Sequence, residues 1–203
     1  MKKFLIILTL ACVQLTGNFL FSKEGKESKT YELATFGGGC FWCVQSDFDS
    51  VQGVVETTVG FMGGTKPNPT YGEVSSGKTG YVEVIQLKYD PAQISYEDLL
   101  DVYFHNIDPT RDDGQFCDQG MQYRPVIFYE GESQKSLAEA YKQRLIDEDK
   151  VSPILVQIVP AKTFYPAEAY HQKYYQKNPL RYRFYRYSCG RDKRLKELWD
   201  SYD

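Results

Sequence analysis

Apolar and polar positions alternate with two periods along this chain. Residues 31–36, 54–61, 123–129 and 154–159 are short runs rich in aromatic and β-branched residues and read as strands. Residues 81–89 carry the clearest strand pattern. Tyr81, Glu83, Ile85, Leu87 and Tyr89 share one face, while Gln86 and Lys88 fall on the other. Helical spacing appears elsewhere. Tyr96, Leu99, Leu100 and Tyr103 recur at i, i+3, i+4 and i+7 behind Ser95 and Asp98, a capping-box pair. Leu137, Tyr141 and Leu145 mark a helix over residues 133–148, and a further helix is expected over residues 40–51 after three glycines. Pro166 is expected to open a helix running through His171 to Lys177. Residues 108–120 read as a polar loop. Strands alternate with helices, yet several strands are joined without one, which predicts an α+β fold in one domain over residues 31–203.

The first 22 residues break this pattern. Lys2 and Lys3 precede an apolar run over residues 4–10, and a weaker run continues to Phe21 through Gln14, Thr16 and Asn18. A basic start followed by an apolar stretch reads as an export signal. It can be cleaved, lipidated at Cys12 in the loose Leu8-Thr9-Leu10-Ala11-Cys12 pattern, or retained as an anchor. Each route puts the body outside the cytoplasm, in the periplasm or at the envelope, where disulfides form. Residues 23–30, KEGKESKT, are a polar linker. No other segment is apolar enough to cross a membrane.

Charge narrows the class. The 203 residues carry a formal −3, or −5 without the first 22, which hold two lysines and no acid. A mildly acidic body makes a poor nucleic-acid binder. Seventeen tyrosines and 15% aromatics suggest a packed core, a stacking surface or an aromatic-walled pocket.

Candidate chemistry gathers around Cys40, which follows Gly37, Gly38 and Gly39 and opens a helix. Unpaired N–H groups and the helix dipole there favour an anion, so the thiol pKa is expected to be lowered; a buried structural cysteine is the alternative. Cys43 completes a C-x-x-C, which also occurs in dithiol oxidoreductases and in half zinc sites. Zinc would need two more ligands, and Cys117 and Cys189 stand isolated in the sequence. Glu83 lies on the apolar strand face. An ionised carboxyl there is costly, so its pKa should rise and make it a proton donor at neutral pH, unless it reaches water at the strand end. His171 is expected to be structural. The basic tail is expected to be a solvated face.

Gly39-Cys40-Phe41-Trp42 resembles the signature of the A-type peptide methionine sulfoxide reductases. Gly53-Val54-Val55, Val59-Gly60-Phe61, Asn68-Pro69-Thr70-Tyr71, Gly80-Tyr81-Val82-Glu83-Val84, Gln122-Tyr123-Arg124 and Tyr170-His171-Gln172 extend the likeness in order. The resemblance implies that Cys40 is the nucleophile and that Phe41 and Trp42 form the wall receiving the S-methyl group. It implies that Glu83 faces the sulfoxide oxygen, that Tyr71 and Tyr123 hydrogen-bond that oxygen, and that Asp118 supports the site. The implied fold is a two-layer sandwich with a ferredoxin-like, split β-α-β core and a long C-terminal coil. The implied activity is reduction of methionine S-sulfoxide, free and in oxidised proteins, through a sulfenic acid on Cys40. A second thiol resolves it, and thioredoxin or another dithiol resets the enzyme. No metal, flavin or nicotinamide is expected at the site, and the protein is expected to act as a monomer. Similar proteins resolve with a C-terminal cysteine, which points to Cys189, with Cys43 and Cys117 as alternatives. One departure stands out: the family usually has glutamate where this chain has Gln45. The rival readings are a dithiol oxidoreductase built on Cys40 and Cys43 and a non-catalytic lipoprotein.

Overall fold

In the computed structural model, residues 30–199 are described. The segment expected to be an export signal and most of the linker lie outside them. The elements run β1 (Glu32–Gly37), α1 (Phe41–Phe48), β2 (Val54–Met62), α2 (Tyr71–Ser75), β3 (Val82–Tyr89), α3 (Tyr96–His105), β4 (Gly114–Gln115), β5 (Asp118–Gln119), β6 (Val126–Tyr129), α4 (Glu132–Asp147), β7 (Gln157–Pro160), β8 (Tyr165–Pro166), α5 (Tyr174–Lys177), α6 (Pro179–Ser188) and α7 (Arg191–Trp199).

The main sheet has the order β7-β6-β1-β3-β2-β8. β3 pairs antiparallel with both β1 and β2, and β1 pairs antiparallel with both β3 and β6. Thus β1-α1-β2 closes around β3, and β3-α3-β6 closes around β1. These are two interlocked split β-α-β units, the ferredoxin-like core that the resemblance implied. α4 returns the chain to β7, which runs parallel to β6.

Hydrophobic pattern explains the layers. Phe36, Ile85 and Leu87 meet Phe48, Leu99, Leu100, Tyr103 and Phe104 in the main core. The capping box of Ser95 and Asp98 is formed in both directions and starts α3 where expected. At its first half β3 is buried on both faces. Val82 and Val84 pack with Met62, Val126 and Phe128 on the face away from the main core. Glu83 therefore sits inside the protein, 1% exposed, rather than reaching water at a strand end.

Three expectations change. The helix predicted from Pro166 does not start there. Pro166 ends an edge strand, where its missing N–H is tolerated, and Lys173 in the left-handed region (φ 54°) delays the helix to Tyr174. In α4, Leu137 faces solvent, and Gln134, Ala138, Tyr141 and Leu145 form the buried stripe. The C-terminal coil is largely helical, because Tyr182, Arg191 and Leu198 recur as inward anchors through α6 and α7.

Candidate functional site

The chain turns from β1 into α1 through Gly39 at φ 87°, and a Cβ on Gly39 would meet the Gln115 Cβ at 2.7 Å. Only glycine permits both the conformation and the approach. The turn delivers Cys40 as the N-cap of α1, 7% exposed. Glu83 approaches from β3, one residue in from its start, and its Oε2 accepts the Phe41 N–H at 3.1 Å. Burial pushes its carboxyl up to about 8, although the Phe41 N–H pulls the other way, while the charges of Asp118 and Cys43 add to the rise. The carboxyl is thus largely protonated at neutral pH.

The Cys40 thiol departs from the sequence expectation. Burial, then its contact with Cys43, then the charges of Glu83 and Asp118 push its pKa well above the usual range. The helix start does not outweigh this burial, and its first N–H is given to Glu83. Cys43 is held lower by its hydrogen bond from Cys40, against burial, with Arg191 and Arg186 helping. Cys43 is 2% exposed and packs with Tyr174 and Tyr182.

Aromatic rings surround this pair. Phe41 lies 5.9 Å from Phe61 and 6.3 Å from Tyr71, ring centre to ring centre. Trp42 stacks on Tyr174 at 3.8 Å with an 8° angle between planes. Its Nε1–H donates to His171 Nδ1 at 2.9 Å. That bond fixes the imidazole proton on Nε2. His171 is buried and held neutral by burial, so it orients the indole. Burial also raises the phenol pKa values of Tyr71 and Tyr123, with the Glu83 charge as the next cause. Both phenols remain hydrogen-bond donors.

Asp118 begins β5 and accepts the single Tyr185 O–H proton in a forked bond, with its Oδ1 and Oδ2 2.8 and 2.7 Å from Tyr185 Oη. Burial raises its pKa, opposed by Tyr185, Arg191 and the Cys40 N–H. Phe116 and Cys117 form the two-residue turn between β4 and β5. Phe116 has φ 54°, an unfavourable conformation for a bulky residue. The turn is held because the Arg191 guanidinium covers the Phe116 ring at 4.6 Å and Arg111 Nη1 donates to its carbonyl at 3.0 Å. Cys117 is thereby presented to Cys189, and the two form a disulfide. Cys40 and Cys43 are free. Cys189, the expected resolving thiol, is joined here to Cys117 rather than to Cys40.

The expected residues therefore converge: Cys40, Phe41, Trp42, Tyr71, Glu83, Asp118 and Tyr123 share one neighbourhood, with Cys117 and Cys189 beside it. The tail departs from its expected role as a solvated face. Arg191 is 1% exposed and, with Arg186, pairs with Asp47 of α1 at 3.1 and 2.7 Å. Sequence reasoning missed Tyr185, Arg191 and Asp47. The sole signal was Asp47, the one charged residue in α1.

A buried thiol beside a protonated carboxyl, walled by aromatic rings and with a disulfide nearby, defines a thiol-dependent oxidoreductase centre. The chain belongs to the peptide methionine sulfoxide reductase family, whose profile matches residues 32–203. It is 48% identical over 174 residues to the Vibrio cholerae peptide methionine sulfoxide reductase MsrA/MsrB. That match covers 85% of this chain, which spans 46% of the Vibrio protein's length. It is 47% identical to a Staphylococcus aureus peptide methionine sulfoxide reductase MsrA 2, across 84% of this chain and 97% of that protein. Among solved structures, reduced Mxr1 from Saccharomyces cerevisiae superposes with TM-score 0.71 at 30% identity, covering 75% of this chain and 88% of that one. Methionine sulfoxide reductase A of Corynebacterium diphtheriae gives TM-score 0.66 at 36% identity, covering 74% and 76%.

Proposed function

We propose that this protein reduces the S epimer of methionine sulfoxide, free and in oxidised proteins, and that a thioredoxin-type dithiol resets it. The observation that carries this reading is the buried Glu83 carboxyl, held protonated beside Cys40 at the start of α1. A sulfoxide presents a partly positive sulfur, a polar oxygen and a methyl group. Phe41 and Trp42 receive the methyl by apolar contact. Glu83 donates its proton to the oxygen, and Tyr71 and Tyr123 hydrogen-bond it as negative charge develops. Asp118 orients the turn beside Cys40.

Cys40 sulfur attacks the sulfoxide sulfur. The oxygen passes to Cys40, methionine is released, and the thiol becomes a sulfenic acid. Cys189 condenses with it, releasing water and forming a Cys40–Cys189 disulfide. Cys117 then attacks Cys189, which frees Cys40 and leaves a Cys117–Cys189 bridge. This order accounts for a disulfide at Cys117 and Cys189 alongside a free Cys40. A groove of about 420 Å³, lined in part by Arg111, Phe116, Cys189 and Arg194, gives an external dithiol access to that bridge. Thiols supply both electrons, so the reaction calls for no prosthetic group. The rival built on Cys40 and Cys43 is disfavoured by the burial of both sulfurs among aromatic rings.

We assign residues 1–22 to export, with Cys12 as a lipidation candidate, and residues 31–203 to a monomeric catalytic domain in the periplasm or at the envelope. The test of activity is consumption of dabsylated S- and R-methionine sulfoxide with dithiothreitol. Loss of the S epimer alone supports the reading. Loss of neither, from a folded protein with free thiols, overturns it.

A further inference from the structure

Cys117 and Cys189 are 72 residues apart and belong to no second C-x-x-C, yet the fold brings them to a Cα–Cα distance of 4.9 Å. Asp118 lies beside them, with Oδ1 4.0 Å from Cys117 Sγ. One ligand atom from each of the three residues lies within 4.8 Å of the others. We propose that Cys117, Cys189 and Asp118, in the reduced protein, form a binding site for a thiophilic divalent cation of the zinc type, closed whenever the disulfide is present. The proposal rests on the reading above in one respect: the bridge must cycle between its reduced and oxidised forms.

The donor set selects the metal. Two thiolates and one carboxylate are a soft, tetrahedral set suited to zinc rather than to magnesium or calcium. Zinc at its usual bond lengths, about 2.3 Å to sulfur and about 2.0 Å to oxygen, needs an S–O separation of about 3.5 Å. The present 4.0 Å is within reach of a side-chain rotation. A second layer of support exists. The Tyr185 O–H donates its one proton to the Asp118 carboxylate, as carboxylate ligands are commonly held. The turn carrying Cys117 is fixed by Arg191 and Arg111. Cys117 is exposed and Cys189 borders the open groove, so a fourth position is accessible to water.

The chemistry makes the site conditional on redox state. An external dithiol gives two electrons and two protons to the bridge and is itself oxidised to a disulfide. The two thiols then lose their protons as two metal–sulfur bonds form. With the disulfide closed, neither sulfur is a thiolate and the cation has no site. A bound cation in turn withholds Cys189 from the Cys40 sulfenic acid. The metal is therefore a brake on recycling and takes no part in oxygen transfer.

The test is a cobalt(II) titration of the full chain in a Cys12→Ser background, reduced and then freed of reductant under nitrogen. Expected is a thiolate-to-cobalt charge-transfer band that saturates at one equivalent and is bleached by zinc. Oxidised protein should show no band. Cys117→Ser and Cys189→Ser should lose it, Asp118→Asn should weaken binding roughly tenfold or more, and a Cys40→Ser/Cys43→Ser double variant should keep it. Circular dichroism establishes that each variant is folded. A band that persists in Cys117→Ser and leaves with Cys40→Ser/Cys43→Ser places the metal on the other thiol pair and overturns the proposal. Equal binding by the oxidised protein, or unchanged affinity in Asp118→Asn, also overturns it. Methionine release with dithiothreitol from the same preparation tests the reductase reading separately.

Discussion

The two sulfur centres of this molecule are built in opposite ways. Cys40 caps α1 just past the end of the central strand β1, within the packing of β1, β3 and α1, and is 7% exposed. Cys117 stands exposed on a two-residue turn, and Cys189 ends a helix tied down by arginines. In the proposed mechanism the difference follows from what each must do. Proton donation by Glu83 would require desolvation, since burial is what lifts its carboxyl to about 8. Thiol exchange requires a thiolate that a partner can reach, and burial works against both. The same burial pushes the Cys40 thiol up, making it a poor direct partner for an outside dithiol. Placing exchange on separate cysteines lets one fold satisfy both demands.

The sharpest way to break this comparison is to remove each centre in turn. Cys40→Ser should abolish methionine formation under every reductant while far-ultraviolet dichroism is unchanged. Turnover near the parent level would mean that the dry centre is not where chemistry begins. Glu83→Gln should slow single turnover by roughly 10²- to 10⁴-fold. The parent-to-variant rate ratio should also shrink as pH rises through about 8, because the parent acid then loses its proton. Stability should fall with rising pH as well, over a lower window. Between the ordinary carboxyl value of 4.5 and about 8, the folded parent retains a proton that the unfolded chain has released. Its stability therefore falls with rising pH across that window, and Glu83→Gln should lack this slope in urea titrations. A slope that survives the substitution would assign it to another group.

The exchange centre should fail differently. Cys189→Ser should still release about one methionine per enzyme, whereas thioredoxin-driven turnover should drop by roughly tenfold or more. Dithiothreitol should partly restore turnover by reaching the sulfenic acid directly. Peptide mapping after one turnover of the parent should find Cys117 joined to Cys189. A lasting Cys40–Cys43 bridge would name a different resolving partner.

The two centres also differed in how far they could be read beforehand. The dry centre was legible because its signals are local. Three glycines before a cysteine announce the turn, and a glutamate among Tyr81, Ile85 and Leu87 announces a buried acid. The exchange centre depends on contacts between residues far apart in sequence. Nothing near Cys117 or Cys189 reveals that they meet, since the contact depends on Arg191 folding back onto Asp47, 144 residues earlier. For the same reason the tail read as a solvated basic face. The lowered pKa expected of Cys40 failed because a helix start was considered without the burial that outweighs it, and without Cys43 and Glu83 beside the thiol. Asp47→Ala probes the tie between the centres. It leaves Arg191 buried without its carboxylate, which should cost about 3 kcal/mol or more in urea unfolding. A loss below about 1 kcal/mol would mean that the backbone carbonyls of Gly38 and Asn106 satisfy Arg191 unaided.

The smallest effect is expected at Gln45, where the chain departs from the family's glutamate. Its Nε2 donates to the Thr57 carbonyl at 3.3 Å and to Thr57 Oγ1 at 3.1 Å, and its Oε1 accepts the Lys173 N–H at 2.7 Å. Thr57 Oγ1 gives its own proton to Asp49 at 2.5 Å. An amide fits this network because one end must donate and the other accept. A carboxylate would turn an acceptor toward the Thr57 carbonyl and toward a hydroxyl whose proton is already committed. The Lys173 ammonium, which pairs with Asp49 and lies 2.8 Å from Thr57 Oγ1, offsets part of that repulsion. Gln45→Glu should therefore lose about 1–3 kcal/mol at neutral pH, the scale of an unsatisfied buried polar group. Protonation of the new carboxyl restores a donor, so the deficit should narrow as pH falls toward about 4. Single-turnover rates should stay within about threefold of the parent, because the substitution leaves the Phe41–Glu83 bond untouched. A rate loss as large as that of Glu83→Gln would show that the amide network at the far side of α1 sets the position of Cys40, and that the dry centre extends further back than its own residues indicate.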